Sequence, residues 1–418
     1  MNKDNRLIEK INYQLERFVE VLSKGLTKPK KKFIHQMLFG IQASRDVKLS
    51  EIARSLNEEI KLLKTEMRLS RNLQDENLYS EINRKLIEHS KNKIDRDTVL
   101  ALDLTDISKP YAKKMDFLSL VWDGVNKKPT KGYWVLEVIG ANIYQDYLYP
   151  LYSELYSNCA DEFKSENKQI LKAIDTVDSY LKGKGIWVID RGGDRKTLIN
   201  QLILRNLRFI IRIKPNRYLN LNTPQRKLAK EIASNLNCFL KYQLEIDNQG
   251  YKEKRKLNLG KIKVRIPGID CELSLVVVKG FSQEPMLLLT NVDKNPIIIL
   301  EMYLTRWKVE ESIRFLKQEY NLEDVRVRNY ASLKNTVALL LAVFYFLSVY
   351  LGRKIKLNIL LKKIYEKAKR FFQIPPFKQY ALADGIYRIL FNTKWKCSQD
   401  KKTYKIEPKQ LLLSFMDT

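Results

Sequence analysis

Seventeen consecutive uncharged residues, Thr336 to Gly352 (TVALLLAVFYFLSVYLG), bounded by Lys334 and by Arg353 with Lys354, constrain the fold more than any other stretch. Such a segment has the minimum length of a membrane span, but a single one lying between basic, soluble-looking segments reads as a helix buried in a core. The remaining chain must then wrap it. With 418 residues, 44% of them hydrophobic, the chain has the material to do so in two or three domains.

Residues 1–96 read as helical throughout, with few glycines and no strand-like alternation. Ser50 is expected to cap a short amphipathic helix, SEIARSLN, as in the first helix of a helix-turn-helix. The next stretch sets Lys61, Lys64, Arg68 and Arg71 at spacings of three to four, which gives one basic helical face. From Asp97 the character changes. DTVLALDLTD, MDFLSLVWDG and GYWVLEVIGA read as three strands, the last two separated by the loop VNKKPTK, and two helices are expected over Tyr147 to Tyr156 and Glu166 to Leu181. GIWVIDRGG is a further strand, followed by a helix from Arg195 to Leu204 and the strand RFIIRIK. Strands in a meander and then in βα units give an α/β sheet of mixed direction. Residues 215–285 read as a basic β-rich insertion, residues 286–352 return to the core, and residues 353–418 read as a basic helical end with an IPPF break and a lysine-rich tail.

Lys and Arg number 76 against 48 Asp and Glu, and the resulting +28 predicts attraction to a polyanion such as DNA or RNA. An anionic membrane surface is the other reading of that charge. Cys159, Cys238, Cys271 and Cys397 are far apart without a CxxC pair, and the histidines are His35 and His89. This composition disfavours a structural zinc site or a disulfide framework and fits a reducing cytoplasm.

The residues that carry chemistry are acids. Asp103 and Asp190 each terminate an apolar strand run, and Glu310 lies in YLTRWKVEESIRFLK, Tyr303 to Lys317. On a single helix, Tyr303, Arg306, Glu310 and Lys317 fall at about 0°, 300°, 340° and 320°, one narrow polar stripe. Three carboxylates with no His or Cys beside them are hard oxygen ligands suited to Mg²⁺ or Mn²⁺, and two such ions clamp a phosphodiester. Asp106 and Asp123 compete with Asp103, and Asp194 and Glu311 compete with Asp190 and Glu310. A solvated charged face is the plain alternative for the helix.

LDLTD around Asp103, IDRGGDR around Asp190 and the Y-xx-R-xxx-E-xxxxxx-K spacing together resemble the DDE transposases of bacterial insertion sequences, in the group with the YREK motif. The resemblance covers about residues 97 to 350. It implies an RNase H-like core, cut-and-paste strand transfer and a homodimer on paired transposon ends of double-stranded DNA. It also implies two Mg²⁺ ions, replaceable by Mn²⁺, on Asp103, Asp190 and Glu310, with Tyr303, Arg306 and Lys317 on terminal phosphates. Arg326 and Arg328, just past this helix, are candidates for the DNA backbone, with surface solvation the equal alternative. The insertion has no Trp; Tyr218, Phe239 and Tyr242 are among the aromatics that could stack on a base. An RNase H-like nuclease that cuts without joining, and a non-catalytic DNA-binding derivative, are the competing readings. The expected location is the cytoplasm, at the nucleoid.

Overall fold

The structure is a computed structural model that describes residues 3–124, 126–144, 147–221, 225–248, 251–351, 358–368, 377–391, 393 and 395. Most of the IPPF break, Cys397 and the lysine-rich tail lie outside the described residues.

The first ninety residues form α1 (Lys3–Leu22), α2 (Lys28–Ser44), α3 (Leu49–Leu56), α4 (Leu62–Asn72) and α5 (Leu78–Ser90). Every residue of α2 from Phe33 to Ala43 is buried, so this helix is an axis for its neighbours. Ser50 does not cap α3. The helix starts at Leu49, and its entry turn is fixed instead by Asp46, whose carboxylate accepts the Lys48 amide at 2.8 Å and pairs with the Lys48 ammonium at 3.1 Å. Asn57 ends α3 in the left-handed region, φ 47°, which a short polar side chain tolerates.

The sheet begins with β1 (Val99–Ser108), β2 (Ser119–Asp123), β3 (Lys128–Ala141) and β4 (Leu148–Tyr156). Two expectations fail here. KPTK, Lys128 to Lys131, is not loop but the first part of β3, pairing with β2 from Asp123↔Lys128 onward. Tyr147 to Tyr156 is not a helix, because Leu148–Tyr156 pairs along β3 with Leu151 as the extra residue of a bulge beside Pro150. All nine residues of β4 are buried, with α5 on it, so no alternation marks it as a strand.

The chain continues through α6 (Glu166–Leu181), β5 (Ile186–Ile189), α7 (Lys196–Leu204), β6 (Phe209–Arg212), β7 (Tyr218–Asn220), β8 (Arg226–Leu228), α8 (Ala229–Asn235), β9 (Leu240–Asn248), β10 (Tyr251–Val264), β11 (Leu273–Lys279) and β12 (Met286–Thr290). The large sheet has the order β2-β3-β1-β5-β6-β12-β11-β10-β9, with β4 on β3. β1, β5 and β6 are parallel, and the other pairs are antiparallel. The basic β-rich stretch therefore extends the central sheet through β9, β10 and β11, while β7 and β8 form a separate ribbon.

The last described elements are α9 (Pro296–Leu304), α10 (Trp307–Glu319), α11 (Tyr330–Tyr345), α12 (Asn358–Lys367) and α13 (Gln379–Leu390). Asn329 caps α11 by accepting the Ser332 amide at 3.0 Å, and the helix runs on as a π-helical turn over Phe346–Leu351. Of the most apolar window in Tyr330–Leu351, 94% is buried inside the protein. Phe18 of α1 stacks on Tyr345 at 5.8 Å, and the Asn335 amide donates to the Leu73 and Asp75 carbonyls at 2.7 Å each. The uncharged stretch is thus the helix on which the N-terminal helices and the sheet meet, and burial of its side chains stabilises both at about 1.5–3 kcal/mol per large residue.

Candidate functional site

Register brings the two aspartates together. β1 and β5 are parallel with Leu102 opposite Ile189, so the next residues along the two strands are Asp103 and Asp190. Asp190 starts a single 3₁₀ turn over Arg191–Gly193, and its carboxylate accepts the Gly192 amide at 2.8 Å. The glycines of DRGG have a steric cause here. A Cβ on Gly192 would stand 2.9 Å from that carboxylate oxygen, and one on Gly193 would stand 2.5 Å from the Ile189 side chain. Asp103 accepts the amide of Leu104 at 3.0 Å.

Glu310 arrives on a helix that is not continuous. The ladder breaks at Thr305 and Arg306, where Arg306 and Val309 donate to the carbonyls three residues back and the Thr305 hydroxyl bonds back to Glu301 at 2.8 Å. The expected single helix is therefore two, α9 and α10, joined by a tightened turn. Tyr303 stays on α9, buried, with the Arg306 guanidinium 5.9 Å from its ring centre.

Arg306 is the centre of the site. One guanidinium nitrogen is 3.3 Å from the Asp103 carboxylate and another donates to Glu310, while its Nε is buried without a partner. Burial works against the guanidinium charge, but Asp103 and Glu310 outweigh it and raise its pKa. Burial pushes Asp103 up to about 6; Arg306 opposes this, and the neighbouring Asp190 and Glu310 charges reinforce it. Asp103 therefore senses both of the other acids. Among the described residues, however, no three acids, histidines or cysteines stand as a ready metal cage, since the guanidinium lies between Asp103 and Glu310.

The competing acids are engaged elsewhere. Asp106 faces Lys317 at 3.7 Å. Asp123 accepts both amides of Asn126, at 2.9 and 2.7 Å. Asp194 is buried, accepts the Lys214 amide at 2.8 Å and pairs with Arg217, and Glu311 pairs with Arg314 at 2.5 Å.

One acid of the site was not anticipated. Glu137 stands directly opposite Asp103 on β3, is 1% exposed, and leaves Oε2 without a partner. Burial pushes its pKa up to about 8, Asp103 adds to this, and Lys317 opposes it. A lone acid inside the apolar run GYWVLEVIGA was the signal for it. Lys317 also binds Glu323 at 2.9 Å.

The predicted DNA-facing cations divide. Lys61, Lys64 and Arg71 are exposed on or beside α4, whereas Arg68 is tied to Glu58 at 2.7 Å and to Gln36. Arg326 and Arg328 are exposed in the segment before α11 and share a cleft of about 650 Å³ with Arg71. Among the candidate stacking aromatics, Tyr218 and Phe239 are more than half exposed, and Tyr242 is bound to Glu301 at 3.0 Å.

No curated protein matches the sequence. Among solved structures, the chain is similar to the piggyBac transposase in a cryo-EM synaptic complex with hairpin DNA, with 12% identity and a TM-score of 0.45 over 97% of this chain and 88% of that one. Residues 160–346, which hold Asp190, Glu310 and the whole Tyr303–Lys317 stretch, match the family model described as a transposase DDE domain.

Proposed function

We propose that this protein is a DDE transposase of the bacterial insertion-sequence type with the YREK motif, built on an RNase H-like core, which cuts double-stranded DNA at the element's ends and joins the freed 3′-OH to target DNA. The observation that carries the reading is the junction of acids: Asp103 and Asp190 are neighbours by register, and Arg306 touches Asp103 and Glu310 together. The transposase DDE domain match over residues 160–346 supports it.

The donor set fits a hard divalent ion: three carboxylates, one of them with its pKa raised by burial and further by the other two, and paired with a cation. Asp103, Asp190 and Glu310 would hold Mg²⁺, as two ions, or Mn²⁺ in its place. Bound there, the metal supplies Lewis acidity and charge neutralisation at the phosphodiester. Arg306 offers a planar fork suited to a phosphate, Lys317 a point charge about two turns past Glu310 along α10, and Tyr303 an aromatic face that orients Arg306. No histidine lies among these residues, so proton transfer falls to the carboxylates and water. The protein would act as a homodimer on paired ends, in the cytoplasm at the nucleoid.

The test uses labelled duplexes carrying the candidate element's ends, with and without Mg²⁺, and wild type beside Asp103→Ala, Asp190→Ala and Glu310→Ala. Cleaved and joined products are expected from wild type only, with duplex binding nearly intact in all three variants. Cleavage without joining would identify a nuclease, binding without cleavage a non-catalytic derivative, and full cleavage by any variant would remove the assignment of its acid.

A further inference from the structure

The loop that follows β1 has a shape the catalytic reading does not explain. Tyr111 is 92% exposed, and Lys113 and Lys114 are exposed beside it. With Arg326 and Arg328 these residues line a cleft of about 810 Å³. The side chains of the two lysines and two arginines make no hydrogen bond or ion pair among the described residues. The acids of the same cleft are already engaged: Glu323 by Lys317, Asp324 by Lys48 at 3.0 Å, and Asp123 by Asn126. The cleft therefore carries a surplus of four cations around an exposed ring.

This loop is also held in place at both ends. The buried Lys109 ammonium donates to the carbonyls of Glu323 and Val325, the latter at 2.6 Å, stapling the start of the loop to the segment that carries Arg326. At the other end the Asp116 amide donates to the Arg328 carbonyl at 3.0 Å, and the Asp116 carboxylate accepts the Tyr330 amide at 3.2 Å. Phe117 follows with φ 51°, a conformation uncommon for a bulky residue, and its ring packs edge-on against Tyr330 at 5.1 Å. A free loop bearing two lysines needs no such fixing. Cations fixed side by side on two segments are pre-organised for a rigid polyanion.

We propose that Lys113, Lys114, Arg326 and Arg328, with Tyr111 at their edge, form a track for the backbone of duplex DNA, continuing past Arg326 and Arg328 into the cleft shared with Arg71 of α4. The track rests on the DNA-processing reading above and extends it to a surface that reading leaves unused. Its position suits the task. From Asp103 to Ser108 the strand advances about 17 Å, so the track begins roughly five base steps from the acids, at 3.4 Å per step.

The test is fluorescence anisotropy with a labelled duplex of about 30 base pairs of arbitrary sequence, and the same length of single strand, between about 50 and 200 mM salt, because backbone binding needs no cognate sequence. Lys113→Gln with Lys114→Gln, and Arg326→Gln with Arg328→Gln, should each weaken duplex binding about tenfold or more and lower the slope of log affinity against log salt by about two. Lys113→Arg with Lys114→Arg should restore both. Lys182→Gln with Lys184→Gln, at the end of β5 opposite Asp190, should change neither. An unchanged Kd and slope in both glutamine pairs, with wild type still binding and cleaving DNA, would overturn the track and leave the transposase reading standing. Preferential single-strand binding that depends on Tyr111 alone would overturn the duplex assignment. Wild type that neither binds nor cleaves any duplex would remove the transposase reading itself, and the track with it.

Discussion

Glu137→Gln should make the protein more stable, and increasingly so as pH rises. Glu137 is 1% exposed, faces Asp103 across the β1–β3 ladder, and has its pKa moved from 4.5 to about 8 by burial first and by Asp103 second. The folded state binds this proton more tightly than the unfolded chain, so between about pH 4.5 and 8 stability falls as pH rises, at up to about 1.4 kcal/mol per pH unit. At pH 7 the difference between the two states is about 2.5 units, or roughly 3 kcal/mol, and it saturates near 5 kcal/mol above pH 8. Glutamine has the shape of the protonated acid and no titration. Urea unfolding of wild type and variant, followed by tryptophan fluorescence in EDTA at several pH values, reads the Glu137 titration together with its coupling to Asp103, because the titrations of groups that do not interact with Glu137 cancel in the difference. The amide's own unmet hydrogens add an offset that does not vary with pH. A difference that stays flat from pH 5 to 8, or that favours wild type more strongly as pH rises, would refute a buried protonated Glu137.

Two further variants probe how the Asp190 corner is held. Asp194→Ala removes the acceptor of the Lys214 amide and the partner of Arg217, which is itself largely buried, and should cost about 3 kcal/mol in urea unfolding. Gly193→Ala drives a methyl to within 2.5 Å of Ile189 and should cost about 1–3 kcal/mol, read as a lower melting temperature, with cleavage suffering more than duplex binding because Asp190 shifts with the turn.

How much of this was legible in the sequence depends on what kind of signal each element leaves. Of the two destinations open to the uncharged run, a membrane span or a core, its described part, Thr336 to Leu351, lies buried inside the protein as expected. β5 was legible as an apolar run stopped by Asp190, but the expected strand end at Asp103 was wrong: β1 runs on through Asp103 to Ser108, and parallel pairing of Leu102 with Ile189 is what makes the two acids neighbours. β4 was not, since a strand covered on both faces has no period of two to read. Ser50 has the composition of a cap, but Asp46 fixes the turn two residues before Lys48, a contact that composition does not encode. The single helix over Tyr303 to Lys317 failed at Thr305, whose hydroxyl competes for the Glu301 carbonyl. Long-range strand pairing is the hardest to see. Nothing local in β10 or β11 says that they continue the central sheet through β12.

The ladder between β1 and β3 explains why the acids need the cations around them. Asp103 and Glu137 are opposite one another, so their carboxyls are set close by backbone pairing before any side chain chooses a rotamer. Two adjacent carboxylates away from water cannot both stay ionised without compensation, and the fold divides the problem. Burial raises the Glu137 pKa and so favours its neutral form, while Asp103 shares Arg306 with Glu310. Lys317 answers Asp106 and Glu323 and is near enough to moderate Glu137. The +28 of the whole chain is therefore not spread evenly. Beside Asp103 the Arg306 and Lys317 charges are engaged by acids, whereas Lys113, Lys114, Arg326 and Arg328 farther out make no ion pair among the described residues. A polyanion on the proposed track would run along this rim, with Arg306 and Lys317 as the cations nearest the acids.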